Sequence, residues 1–158
     1  MNVKIIMKKI IQHTQYFILT SLLILLSSHA HSADPIYTGW FSSTAIKGYD
    51  TVAYFTERKA IKGSKEFEVD WKGATWRFSS EKNKILFTNN PDKFSPQYGG
   101  YCAFAVADNN LVGVDPTQFY ILNDKLYLNY NKKIQKKWEL QKEAFIKKAD
   151  NNWPSILN

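Results

Sequence analysis

Apolar and polar positions alternate on both sides of Lys72-Gly73, in "EFEVDW" (Phe67, Val69 and Trp71 against charges) and in "ATWRF". Alternation about a tight-turn pair predicts a β-hairpin with one buried face. "QFYIL" and "KLYLNY" repeat the pattern around Asn123-Asp124 and predict a second hairpin. The short run "VAYF", Val52 to Phe55, reads as a strand. In "SSEKNKILFTNNP", Ser79 or Ser80 caps a helix that Pro91 stops, or Pro91 starts the next turn, with Ile85, Leu86 and Phe87 facing the sheet. From Asn131 to Ala149 the period changes: Ile134, Trp138, Gln141, Phe145 and Ala149 recur at three- and four-residue steps and predict one long amphipathic helix. Its lysines, Lys132, Lys133, Lys136, Lys137, Lys147 and Lys148, face water while the stripe packs on the sheet. No internal repeat and no low-complexity linker is read. The expected fold is α+β, a small antiparallel sheet of hairpins packed by helices, with a long C-terminal amphipathic helix.

The N-terminus has a different character. Lys4, Lys8 and Lys9 precede the apolar run "YFILTSLLILL" (Tyr16 to Leu26), and "SSHAHSAD" follows. A basic start, a short apolar core and small residues at the break predict a secretory signal peptide over residues 1–33. Cleavage fits after Ala30 or after Ala33, and Met7 offers a second start. The apolar run is short for a bilayer span, and no later segment approaches that length. No cysteine stands at the end of the run, which argues against a lipid anchor. The expected product is a periplasmic or secreted protein with a single domain at residues 34–158.

Export changes the inventory. His13, His29 and His31 all lie in the leader or its cleavage zone, so cleavage after Ala33 leaves no histidine. That excludes a Ser–His–Asp or Cys–His hydrolase and removes the commonest metal ligand. Cleavage after Ala30 would instead leave His31 as the terminal residue, where amine and imidazole chelate copper. Without Lys4, Lys8 and Lys9 the count of 21 basic residues falls to 18, against 14 acidic ones. That mild excess gives no reason to expect nucleic acid as a partner.

Two groups of residues carry candidate chemistry. Cys102, in "YGGYCAFAV", is the one cysteine of the chain and has no partner for an internal disulfide. One reading makes it small, buried and inert. The other has Gly99-Gly100 turn the chain into a helix whose first turn holds Cys102, where free amides stabilise a thiolate and lower its pKa. That reading makes Cys102 a redox thiol, and the same sulfur is the one candidate metal ligand. The second group is aromatic: Tyr49, Tyr54, Tyr98 and Tyr101 are candidates to line a pocket for a flat ligand such as haem or a quinone. The alternative is that these tyrosines, together with Trp71, Trp76, Phe94, Phe119 and Tyr127, are simply the core of a small domain. Asp50 and Asp115 read as turn formers.

"KGYDTVAYF", "GSKEFEVDWKGATWRFSS", "NNPDKFSPQYGGYCAFAV", "LYLNYN" and "ADNNWP" together resemble the exported YHS-domain proteins, from about Ala45 to Trp153. The resemblance implies a small β-rich domain of metal-handling proteins, and relatives in which selenocysteine takes a cysteine position. The metal-type pattern implies cysteines where this chain has Ala53 and Ser79, and the Tyr-His-Ser triplet of the family name is replaced near "EFEV". A soft-metal site needs several thiolate or imidazole ligands, so metal binding is not carried over with the resemblance. The expected function is an exported, non-catalytic YHS-type binding or accessory protein for a metal ion or a small ligand, with the cofactor unspecified. The alternatives are a thiol redox protein acting through Cys102 and an interaction protein using its basic C-terminal helix.

Overall fold

Two-residue turns close both hairpins. Lys72 and Gly73 have φ of 49° and 78°, and Asn123 and Asp124 have 51° and 55°. Successive positive φ values match the right-handed twist of flanking strands, which is why Gly, Asn and Asp stand there. The computed structural model describes residues 7, 32–39 and 41–158. Strand β1 (Ser64–Trp71) pairs antiparallel with β2 (Ala74–Phe78), and β3 (Asp115–Leu122) with β4 (Lys125–Asn129). They form two separate two-stranded sheets, where one sheet of hairpins was expected. Among the described residues six α-helices accompany them, so the fold is α+β. Residues 32–158 form one compact unit, and the leader read over residues 1–33, with His13, His29, His31 and the Ala30 site, lies almost wholly outside the described residues.

The run Val52 to Phe55 is not a strand. Helix α1 covers Ala53–Thr56, because the side chain of Asp50 accepts from the amides of Val52 and Ala53 and caps the first turn. A four-residue apolar run carries no period to distinguish the two states. Helix α2 (Glu81–Asn89) has Ser80 as its cap, accepting from Asn83 N, and Pro91 opens the next helix, α3 (Pro91–Phe94). On α2 Phe87 is fully buried while Ile85 is half exposed, which corrects the expected inward direction of Ile85. Helix α4 (Ala103–Ala107) follows the glycine pair.

The long C-terminal helix is broken in two. Helix α5 spans Lys132–Glu139 and α6 spans Lys142–Asn152, with Gln141 at φ −142° between them. Each piece packs on a different element. Trp138 of α5 lies against Tyr120 and Tyr127 of the second hairpin, whereas Phe145 of α6 stacks on Phe104 of α4, centroids 4.8 Å apart. A straight helix would keep its stripe in one direction, so the break lets each half bury its aromatic residue. Leu140, at the break, is 84% exposed.

Strand β4 joins two cores. Leu126 and Leu128 face one built on Ile46, Val52, Tyr54, Trp76, Phe78 and Phe87, while Tyr127 on the opposite face belongs to one with Tyr98, Val106, Trp138 and Ala149. Alternation along a strand buried on both sides makes this assignment.

The two hairpins also belong to a structural repeat that the sequence reading missed. In each half a left-handed turn (Ile46-Lys47-Gly48; Tyr98-Gly99-Gly100) leads through a tyrosine into a short helix, then a hairpin with strands of 8 and 5 residues, then a capped helix. The hairpin and its following helix recur 51 positions on: Ser64 to Asp115, Phe78 to Asn129, Glu81 to Lys132. Even the register shift recurs, between Ser64 and Glu68 and between Asp115 and Phe119.

Candidate functional site

The positions at which the resemblance implies thiolates, Ala53 and Ser79, converge on one side chain. Asp50, buried, accepts at Oδ1 from Val52 N (2.9 Å) and Ala53 N (3.2 Å). Its Oδ2 accepts from Ser79 N (2.8 Å), Ser79 Oγ (2.6 Å) and Asn83 Nδ2 (2.8 Å). A carboxylate offers about four lone-pair sites, so these five donors saturate it. Helix α1, the end of β2 and the first turn of α2 are thereby pinned to a single group. The turn-forming role read for Asp50 is present in the helix cap, and its contacts reach further. Asp115 is a turn former too: its Oδ1 accepts from Thr117 N and Thr117 Oγ1. Slight burial raises the Asp115 pKa, but those Thr117 bonds, with Gln118 and Lys47, outweigh it and leave the carboxyl below its ordinary value. Asn83 was not legible as part of this centre. Its only signal was a polar residue in the first turn of a predicted helix.

Cys102 is 1% exposed and stands as the N-cap residue of α4, one position before the expected first turn. Burial pushes its thiol pKa up, and the N–H groups of Ala105, Tyr130 and Phe104, which favour the thiolate, do not offset that. The lowered pKa of the redox reading is therefore corrected: helix geometry is present, but desolvation is the larger effect. The thiol faces Oδ1 of Asn129 at 3.8 Å, and Nδ2 of that fully buried amide has no partner among the described residues. Asn129 had no signal in the sequence beyond its place at the end of a strand.

The four candidate tyrosines do not share one cavity. Tyr54 is fully buried, donates to Pro116 O at 2.8 Å and packs on Phe119. Tyr49 lies under Lys62 Nζ, 4.4 Å from its ring centre. Tyr98 donates to Asp150 Oδ1 at 2.8 Å and lines a cleft of about 440 Å³ with Pro35, Trp71, Lys72 and Trp153. Tyr101 donates to Asp34 O and lines a separate cleft of about 280 Å³ beside Tyr37 and Gly113. Trp153, outside the sequence candidates for the pocket, stands between the two, with ring centroids 6.2 Å from Tyr98 and 6.3 Å from Tyr101. The larger cleft has its rim tied by Lys72, which pairs with Asp92 at 3.0 Å and lies over Trp71.

The YHS domain family model matches residues 52–98. No curated protein and no solved structure matches the chain. YHS domains are commonly associated with metal-related proteins. The donors among the described residues do not fit a tightly held soft metal. Among the described residues no three of the His, Cys, Asp and Glu side chains come together, Cys102 has an amide as its neighbour, and Asp50 is saturated by its own donors. The stretch similar to the YHS domain, residues 52–98, runs from the helix capped by Asp50, through the first hairpin, to the tyrosine before the glycine pair.

Proposed function

We propose that this chain is an exported, non-catalytic binding or accessory protein of the YHS type whose ligand is a small flat molecule. The match over residues 52–98 supports a metal-related accessory role in the broad sense. The observation that carries the choice of ligand is that Ala53 and Ser79 serve the Asp50 carboxylate in place of metal-binding thiolates. The cleft between Trp71, Tyr98 and Trp153 supplies aromatic walls and polar groups at Lys72, Asp92 and Asp150, a mixture suited to orienting such a molecule. A redox role through Cys102 needs an accessible thiolate, and its burial argues against one.

The test has two arms. Native mass spectrometry of protein purified without added metal is expected to show the metal-free mass after incubation with zinc or copper(I), and a stoichiometric tight complex would overturn the choice. Haem and quinone titrations followed by tryptophan fluorescence are expected to saturate in the native protein and weaken at least tenfold in Trp153→Ala. Unchanged fluorescence in the native protein would remove the cleft from the reading. Recovery from the periplasm with an N-terminus at His31 or Asp34 tests export, and retention of Met1 or Met7 would refute it.

A further inference from the structure

The four lysines of helix α5 lie on one face, and an apolar side chain stands in the middle of it. At 3.6 residues per turn, Lys132, Lys136, Leu140, Lys133 and Lys137 follow one another around an arc of about 140°. Leu140 continues the helical path, with φ −62° and ψ −29°. All five residues are exposed, Leu140 to 84%. On the other side of the helix Ile134 and Trp138 pack on the two cores. Gln135 donates to Phe119 O at 2.8 Å, which also fixes the rotation of the helix and holds the lysine arc outward.

This face works against the helix that carries it. Lys132 and Lys133 stand in the first turn, at the positive end of the helix dipole, with no acidic residue beside them. Lys132 with Lys136, and Lys133 with Lys137, are like charges at a four-residue spacing and repel. None of the four is ion-paired among the described residues. The carboxylate of the helix, Glu139, falls about 100° from Leu140 and outside the arc. A face evolved only for solvation gains from mixed charge and from a polar residue at its centre, and this one has neither.

We propose that this face is a docking surface for an anionic phospholipid bilayer, with α5 lying parallel to the membrane plane. Leu140 enters the boundary between headgroups and acyl chains, and the lysine stems spread around it to bring their ammonium groups to lipid phosphates. Charge complementarity selects an acidic partner. The central leucine selects a bilayer among acidic partners, because a nucleic-acid backbone offers it no apolar contact. All four cations are lysines, point charges suited to a fluid array of headgroups, where arginine forks suit fixed bidentate partners. So short a face gives weak, reversible and salt-sensitive attachment. None of the five residues lines the cleft of Trp71, Tyr98 and Trp153, so lipid docking and ligand binding in the cleft stand or fall separately.

Vesicle flotation tests this, with vesicles of equal parts phosphatidylglycerol and phosphatidylcholine against phosphatidylcholine alone. The protein as cells produce it should float with the anionic vesicles and be released as salt is raised. The combined variant Lys132→Gln, Lys133→Gln, Lys136→Gln, Lys137→Gln should bind at least about tenfold more weakly. Its unfolding temperature should be unchanged or higher, because the like-charge pairs are gone. Leu140→Ser should weaken binding about threefold at unchanged charge. A fluorophore that brightens in apolar surroundings, placed on Leu140→Cys, should brighten with the anionic vesicles alone, since Cys102 is too buried to take the label. That label reads the contact at position 140 whatever else in the chain touches lipid. No flotation, undiminished binding by the four-lysine variant, or a label that stays dark would overturn the proposal. Binding to double-stranded DNA that matches vesicle binding and ignores Leu140→Ser would assign the face to another polyanion and overturn it too.

Discussion

Ser79 donates both its amide and its hydroxyl to one oxygen of Asp50, at 2.8 and 2.6 Å. This ties the end of the first hairpin to the start of helix α1 across 29 positions of chain. Asp50→Asn keeps the shape but presents an NH2 group to donors that need an acceptor. The expected cost is about 2–4 kcal/mol, and Ser79→Ala, which removes one donor, should cost about half as much. Urea unfolding followed by fluorescence measures both, and a loss for Asp50→Asn below that of Ser79→Ala would contradict the saturation argument.

Cys102 is packed where bulky reagents do not reach it. Maleimide labelling of the native protein should be far slower than that of a free thiol, with full reaction in denaturant. Because burial raises the thiol pKa, the native rate should still be climbing above pH ~8.5, where a free thiol levels off. Fast labelling at neutral pH would show an accessible thiolate instead.

Stability should fall at alkaline pH. Burial raises the pKa of Tyr54, and burial together with the bond and charge of Asp150 raises that of Tyr98. Burial and then Asp150 push Tyr127 up to about 12. For an acid whose folded pKa exceeds its unfolded one, the unfolded chain loses its proton first. Stability is therefore intact below pH ~10 and declines above it as the unfolded tyrosines ionise. Tyr98→Phe should flatten that decline, as read from urea midpoints between pH 8 and 11.

The second hairpin turn holds two non-glycine residues at positive φ. Asp124→Gly removes a side chain from the left-handed region and should stabilise the protein by ~0.5–1 kcal/mol. A thermal shift upward, with the native circular dichroism spectrum retained, is the expected readout.

Gly99 behaves in the opposite sense. At φ 59° it lies so close to the main chain of Pro35 that an added Cβ would run into that carbonyl. Gly99→Ala should cost at least ~2 kcal/mol, combining the left-handed penalty with displacement of the Pro35 segment. A neutral substitution would mean that this segment is not held there in solution.

The sequence by itself determined the features that rest on neighbouring residues. Both hairpins, their turns at Lys72-Gly73 and Asn123-Asp124, and a helix cap at Ser79 or Ser80 follow from alternation and local hydrogen bonding. Tertiary structure decided the rest. Val52 to Phe55 became helical because Asp50 caps it, and Asp50 is held in place by Ser79 and Asn83 far along the chain. The C-terminal helix broke because Trp138 and Phe145 found different partners. Cys102 was legible as a candidate, but burial against Asn129 set its pKa direction. The repeat stayed hidden for a related reason. Apart from a few identities, such as Gly48 and Tyr49 with Gly100 and Tyr101, it is written in main-chain hydrogen bonds, which any side chain compatible with the backbone can make.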